Sequence, residues 1–367
     1  RHTTINNNNG GRDCASDATT TTLSSSSSGR EEGGSKIGPG DKILIVQDEM
    51  SSGVYCWQEI CKLSGAALEI VQHTTADNTT TNTTGDDNCG DDDTSSGWTE
   101  VILTAIQKHK TQIAIVCVPH IHWSDGSLLH LQRIGTACRT NNIKFVIDAT
   151  QSAGILPIHV AELHCDVLAA SVHKWLLGPH GMSLVYIHKN HHDAWMPLDQ
   201  HARSRCVFQN EEYEAGENLI EAEGYPEEFV RGAARCDGGG KKNPMLMPMV
   251  REGLRIVTTL ELREAQGVLR KITDRILEGG ATLGFGVPAG PRAGHIIGLR
   301  PCTAELRRRL DPVRMVDIAK RLEERHGVFL AVRCGAFRIA PYLDTTLEEV
   351  DQLLSALEEE CKSSILV

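Results

Sequence analysis

The sequence has no run of 18 apolar residues, so it offers no segment for spanning a membrane. It has no excess of basic residues: the formal net charge is −11, which argues against a nucleic-acid partner that must be gripped by clustered Lys and Arg. No CxxC occurs among its 12 cysteines, and the nearest pair is Cys56 and Cys61. A zinc site of ordinary spacing and a small disulfide framework are both poorly supported, and no metal is expected. The thiols read instead as small core hydrophobes in a reducing, cytoplasmic compartment, as Cys117 does within QIAIVCV. The first residues, RHTTINNNNGG, lack the apolar stretch of a secretory signal, and the opening Arg suggests a fragment or a processed chain. No GxGxxG or Walker A follows the early strands, which disfavours a nucleotide-binding α/β protein.

What remains is ordinary globular material: 367 residues, 40% hydrophobic and 23% charged. Two tracts stand apart. Residues 1–36 run through NNNN, TTTT and SSSSS, and residues 74–97 are polar and acidic. Neither has enough apolar surface to offset its ordering entropy, so both are expected to be disordered. The Asn-x-Thr sequons at Asn78 and Asn82 read as accidents of an Asn/Thr tract. Elsewhere strands and helices alternate. DKILIVQ, ALEIVQ, QIAIVCV, KFVID, DVLAASV and MSLVYIH read as strands. Helical spacing marks 54–63, 100–108 and the Leu128–Cys138 segment. This alternation predicts an α/β domain over 37–250, with a mostly parallel sheet and helices on both faces. Residues 251–367 read as a smaller α+β domain, with strands at 295–300, 328–333 and 336–342. Its last helix is expected to open on a capping box from Thr345 to Glu348.

The informative stretch is 146–181, VIDATQSAGILPIHVAELHCDVLAASVHKWLLGPHG. Asp148 ends an apolar strand, and in open α/β sheets ligands sit beyond the carboxyl ends of strands. The next strand ends in Ser171-Val172-His173-Lys174. An amine there is costly to bury unless it has chemistry to perform. Bonding to an aldehyde requires a neutral amine, and burial beside other cations lowers a lysine pKa. A pyridine-type cofactor also needs a carboxylate on its ring nitrogen to absorb electrons from a substrate carbon. Asp148 and Lys174 satisfy both demands as a pair.

The segment resembles the signature of class V aminotransferases, which depend on pyridoxal 5'-phosphate (PLP): an Asp-x-x-Gln on one strand, then Ser-x-His-Lys after the next. Ser171, His173 and Lys174 follow Asp148 at 23, 25 and 26 residues, as in that family. The likeness runs over roughly 37–365 and is strongest at 143–188. It implies the PLP-dependent transferase fold of type I and a homodimer acting on a small amino-acid substrate through a Lys174 aldimine. Lys174 would also be the base at Cα. Asp148 would pair with the pyridinium nitrogen, Gln151 would bond the 3-oxygen, and Ser171 with His173 would bind the phosphate.

Further positions follow from the likeness. Met50 falls where kynureninase-like members carry Phe, and cysteine desulfurases His, over the ring. Trp123 or His122 would face the substrate or the ring edge. Asn243, in an Asn-Pro of a Gly-rich loop, would reach a neighbour's phosphate across the dimer. Arg338 would take the substrate carboxylate, with Arg333 its nearby competitor. Cys334 sits where desulfurases carry a sulfur-accepting cysteine, but its loop is short and runs straight into a strand. The expected activity is aminotransferase-like or C–S lyase-like, with isopenicillin N epimerase-like proteins as relatives. The alternative is a non-catalytic dimeric relative. The family's N-terminal residues, which complete the phosphate site, have no counterpart here unless Thr19–Ser28 supply one.

Overall fold

The computed structural model describes residues 36–73, 79–80, 97–209, 212–215, 225–238 and 243–363. The expectations for 1–35, for the sequons and for most of 74–97 lie outside those residues. Everything described from Ile37 onward belongs to one compact unit.

In chain order the strands are β1 (Lys42–Val46), β2 (Ala67–Val71), β3 (Thr79–Thr80), β4 (Ile113–Pro119), β5 (Lys144–Asp148), β6 (Val167–Ser171), β7 (Ser183–Ile187), β8 (Arg205–Gln209), β9 (Glu212–Ala215), β10 (Glu228–Phe229), β11 (Phe285–Pro288), β12 (Ile297–Pro301), β13 (Ala331–Arg333) and β14 (Ala336–Ile339). The main sheet runs β2-β1-β4-β5-β6-β7. Its pairings are parallel up to β6, and β7 returns antiparallel. The expected mainly parallel α/β sheet is therefore present. The reversal at β7 has a simple cause: the link from Ser171 to Ser183 is a turn, too short for a helical crossover.

Strands buried on both faces read as continuous apolar runs, and β1 (KILIV) has four buried residues in a row. Helices α1 (Ser51–Ser64), α2 (Trp98–His109), α3 (Leu131–Thr140) and α4 (Val160–Leu163) alternate with the strands. Val46, Ile106, Val116, Ile134, Phe145 and Ile147 form the heart of the core around this sheet, each at most 1% exposed. At about 1.5–3 kcal/mol for each large apolar side chain buried, this cluster dominates the domain's stabilisation.

The second sheet runs β13-β14-β12-β11-β3. It is flanked by α6 (Leu262–Thr282), α8 (Pro312–His326) and α9 (Leu347–Ser363), with α5 (Leu246–Val257) and the short α7 (Ala304–Arg309) between. Helix α5 contributes Val250 and Val257 to the first core, whereas α6 belongs to the second. Thr79–Thr80 form β3 and pair with Val287 and Pro288, so two residues of the tract expected to be disordered are a strand. Three short strands, in the order β10-β8-β9, make a third sheet that the sequence reading did not anticipate.

Helix ends follow local chemistry. Asp311 caps α8 by accepting from Arg314 N at 2.9 Å, Pro312 opens the helix, and Gly327 closes it at φ 65°. The capping box of α9 lies one residue later than expected. Glu349 Oε2 accepts from Thr346 N (2.8 Å), and Thr346 Oγ1 accepts from Glu349 N (3.2 Å). TTLEE offers two registers of the same pattern; Thr345 instead accepts from Tyr342 N.

The segment 121–129 joins the two large sheets. Ala293 N donates to Gly126 O and Gly298 N to Asp125 O. Gly126, at φ 81°, lies so close to Ile296 O that a Cβ would collide with it. This close approach brings Trp123 and Arg338 together.

Candidate active site

Beyond the carboxyl ends of the main sheet lies a cavity of about 210 Å³. Its walls include Asp148, Thr150 and Gln151 at the end of β5 and just past it, Ser171, His173 and Lys174 at the end of β6 and just past it, Glu49 and Met50 after β1, and Trp123 after β4. This is where an open α/β sheet places ligands.

Asp148 is the last residue of β5, with one oxygen accepting from Thr150 N at 2.8 Å. Thr150 Oγ1 in turn accepts from Ser171 N at 3.1 Å, tying the ends of β5 and β6 together. After β6 the chain turns sharply. Gly178 N returns to Val172 O, Leu177 N bonds Lys174 O, and Leu177 takes φ 54°. A left-handed leucine is a conformation the surroundings must impose. Gly154, at φ 96°, passes so near Trp175 O that any side chain there would clash. These constraints hold Lys174 at the mouth of the strand ends.

The Lys174 amine forms no hydrogen bond or ion pair among the described residues. Its pKa lies below the ordinary lysine value, first because burial penalises the ammonium and second because Arg338 faces it; Asp148 opposes both. Arg338 is itself lowered, by burial and then by Arg333. Its Nε donates to Trp123 O at 2.6 Å, which ties the guanidinium to a residue of the cavity wall. Trp123 Nε1 donates to Asp48 O at 2.6 Å, and Arg333 lies 5.8 Å from its ring centroid. His173 stacks on His180, ring centroids 4.0 Å apart. Burial, then His180, then Lys174 lower its pKa. Gln151 is buried, and its Oε1 accepts from Trp175 Nε1 at 3.4 Å. Met50 is the residue before the first turn of α1 and lines the same cavity.

Two of the residues singled out from the sequence do not join this group. His122 is fully buried against a different cavity. Its nitrogens bond Ser124 Oγ (2.9 Å) and Gln47 O (3.0 Å), and its ring stacks on Trp98. A partner for each nitrogen turns the imidazole away from the Lys174 cavity, while Trp123 next to it faces in. Asn243 is exposed and holds the start of α5: its Oδ1 accepts from Met245 N (2.9 Å) and Leu246 N (3.1 Å). Cys334, at φ 49°, has its thiol pKa raised, chiefly by burial. That is the wrong direction for a nucleophile.

The sequence reading missed Glu49 and Thr150. The signal for Glu49 was available, since an acidic residue just past the carboxyl end of β1 satisfies the rule that singled out Asp148.

The fold and the cavity together define an α/β protein with a candidate ligand site at the strand ends, walled by an amine and two carboxyls, with Arg338 tied to its Trp123 wall. Residues 94–224 match the family model for aminotransferase class-V. Over that segment the chain is similar to the class V aminotransferase family. An uncharacterized aminotransferase of Bacillus subtilis, YcbU, is 35% identical over 96 residues, 25% of this chain and 26% of that protein. A probable cysteine desulfurase of Pyrococcus abyssi is 27% identical over 158 residues, 43% of this chain and 34% of its own length. The chain thus matches about a quarter to a third of the length of these curated relatives. The likeness in fold extends further. The apo cysteine desulfurase of Thermococcus onnurineus superposes with a TM-score of 0.66 at 22% identity, over 89% of this chain and 74% of that one. A variant of C-DES with glycine covalently linked to its PLP cofactor gives 0.67 at 19%, over 88% and 75%.

Proposed function

We propose that the cavity binds PLP and that the chain is a PLP-dependent enzyme acting on an α-amino acid, aminotransferase-like or C–S lyase-like. The observation that carries this reading is the Lys174 amine. It is half-buried, makes no hydrogen bond or ion pair among the described residues, and is pushed toward its neutral form by burial and Arg338 against the opposing charge of Asp148 in the same cavity.

The donor set fits the group. Lys174 offers a neutral amine to an aldehyde. Asp148 offers a carboxylate to a ring nitrogen, and Ser171 and His173 offer a hydroxyl and an imidazole to a phosphate. Met50 and Trp123 offer polarizable and aromatic faces to a flat ring. When bound, PLP supplies an aldehyde for the amines to condense with and a ring that takes up the electrons of a substrate bond.

The rest is done by side chains. Asp148 is kept in place by Thr150 N, so its charge stays aimed into the cavity. Arg338, anchored through Nε to Trp123 O, keeps its terminal nitrogens for a carboxylate, which its planar fork matches in two-point contact. That contact orients the Cα–H bond. With the group bound, the Lys174 nitrogen would be the residue placed to take the Cα proton, its pKa lowered from the ordinary lysine value by burial and Arg338. A homodimer is part of the same reading. Tyr55 and Leu63 on α1, Leu184 and Val185 on β7, and Met245 and Met249 at α5 are exposed apolar side chains that a second copy would cover.

The test is spectroscopic. Protein loaded with PLP shows a visible absorbance band that borohydride bleaches and fixes as a stable adduct on Lys174. The Lys174→Ala variant folds but gives no adduct. An adduct mapping to another lysine, or none in the wild type, overturns the reading.

A further inference from the structure

The cavity contains a second carboxyl that the reading above leaves unused. Glu49 precedes Met50 and lines the same wall as Asp148 and Lys174. Its Oε1 accepts from Met50 N at 2.8 Å; no described residue donates to Oε2.

The groups around Glu49 are Asp148 from β5, Lys174 and His173 after β6, His122 after β4, and the Cys117 thiol within β4. The thiol is pushed up to about 12, mainly by burial, with Glu49 and Asp148 adding to it. Glu49 itself lies above the ordinary carboxylate value. Burial is the chief cause and the Asp148 charge adds to it, while Met50 N–H and His122 oppose. With Oε1 committed as an acceptor, Oε2 is the oxygen left to carry a proton.

The other polar groups nearby are poorly placed to donate a proton. Met50 has none to give. The His122 imidazole is held by Ser124 and Gln47 on the far side. His173 is stacked against His180. Lys174 is needed as the base. A reaction in which a side-chain group leaves with its bonding electrons still requires an acid.

We propose that Glu49 is the general acid of this cavity, protonating through Oε2 the leaving group of an α-amino acid that carries a heteroatom on its β-carbon. This rests on the proposed function. Lys174 takes the Cα proton, and the electron pair of that bond becomes the Cα–Cβ double bond. The bond from Cβ to the heteroatom breaks with its pair on the heteroatom. The Glu49 O–H bond breaks with its pair on Oε2, and the proton joins the leaving atom. The elements of HX are eliminated with no net oxidation. Afterwards the Lys174 ammonium returns its proton through water to the Glu49 carboxylate.

Glu49→Gln keeps the acceptor for Met50 N and removes the acid. Two substrates separate the roles: S-methylcysteine, whose thiolate must be protonated, and β-chloroalanine, whose chloride leaves unaided. With PLP-loaded protein and pyruvate as the readout, the variant loses about 10²- to 10⁴-fold on S-methylcysteine and less than about tenfold on β-chloroalanine. Infrared difference spectra of cofactor-free protein, recorded across a pH titration, show a protonated carboxyl that persists above the ordinary glutamate range and is absent from the variant. Equal losses on both substrates, no loss on either, or no such band overturns the acid role. A wild-type chain that fixes PLP on Lys174 yet turns over neither substrate also overturns it, leaving the proposed function standing. A chain that fixes no PLP overturns both.

Discussion

Two cavities flank the segments that follow β1 and β4, and they treat charge in opposite ways. In the larger, about 330 Å³ and lined by His122, Asp125 and Arg300 among others, the central charges are answered. Asp125 accepts from Ser127 N (3.1 Å) and Arg300 Nη2 (2.9 Å), with His122 3.6 Å away. Arg300 also donates to Cys334 O at 2.5 Å. Burial alone would raise the Asp125 pKa, but His122, Arg300 and Ser127 bring it below the usual value. In the smaller cavity the Lys174 amine has no such partner, and burial and Arg338 push it toward neutrality. A satisfied cluster fixes structure, whereas an unsatisfied amine is free to react. Helix α9 repeats the first kind: the fully buried Glu360 is shared by Arg321 (2.5 Å), His326 (3.1 Å) and Arg325 (3.2 Å).

The sharpest break of this comparison is to remove the central charge from each cavity. Lys174→Ala is expected to abolish borohydride-fixable PLP while leaving the thermal midpoint unchanged or slightly raised, since a strained amine is lost and no partner is stranded. Asp125→Ala should do the reverse. Stranding Arg300 costs about 3 kcal/mol in denaturant unfolding, and the folded fraction still labels at Lys174. The sign with pH follows. The folded pKa of Asp125 is depressed, so its contribution is present above the unfolded carboxyl value and is lost as the pH falls through the folded one. The gap between wild type and variant should therefore close in acid.

Next in size, Arg338→Gln removes a cation facing Lys174. The amine pKa then moves back toward the ordinary lysine range, and the pH at which PLP adds to Lys174 moves up. A spectral titration that stays in place would show that burial alone sets the amine. The smallest effect is at Asn243. Loss of its cap in Asn243→Ala should cost about 1 kcal/mol, read as a lower thermal midpoint. A large fall in PLP retention in the same variant would restore the role across a dimer that the family likeness implies.

Much of this was legible from spacing. Asp148, Gln151, Ser171, His173 and Lys174 are set by two strand ends joined by a fixed length of chain, and strand ends are what period and composition reveal best. The face to which His122 turns was not legible, because it depends on Gln47 just past β1, on Ser124 after β4 and on the stacked Trp98 of α2. Nor was the one-residue slip of the α9 capping box, where two registers of the same pattern compete. The antiparallel return of β7 follows from a turn length that could have been counted.

The sequence by itself determined the alternation of strands and helices and the residues carried at the ends of β5 and β6, because hydrophobic periodicity and local spacing are properties of neighbouring residues. Only the tertiary structure decided which of those groups face one another. It placed Glu49 beside Asp148, turned His122 out and Trp123 in, and set Arg338 against Lys174. Those relations join residues up to 164 positions apart, Lys174 to Arg338, and they exist only once the sheets have packed and burial has taken water's place around the charges.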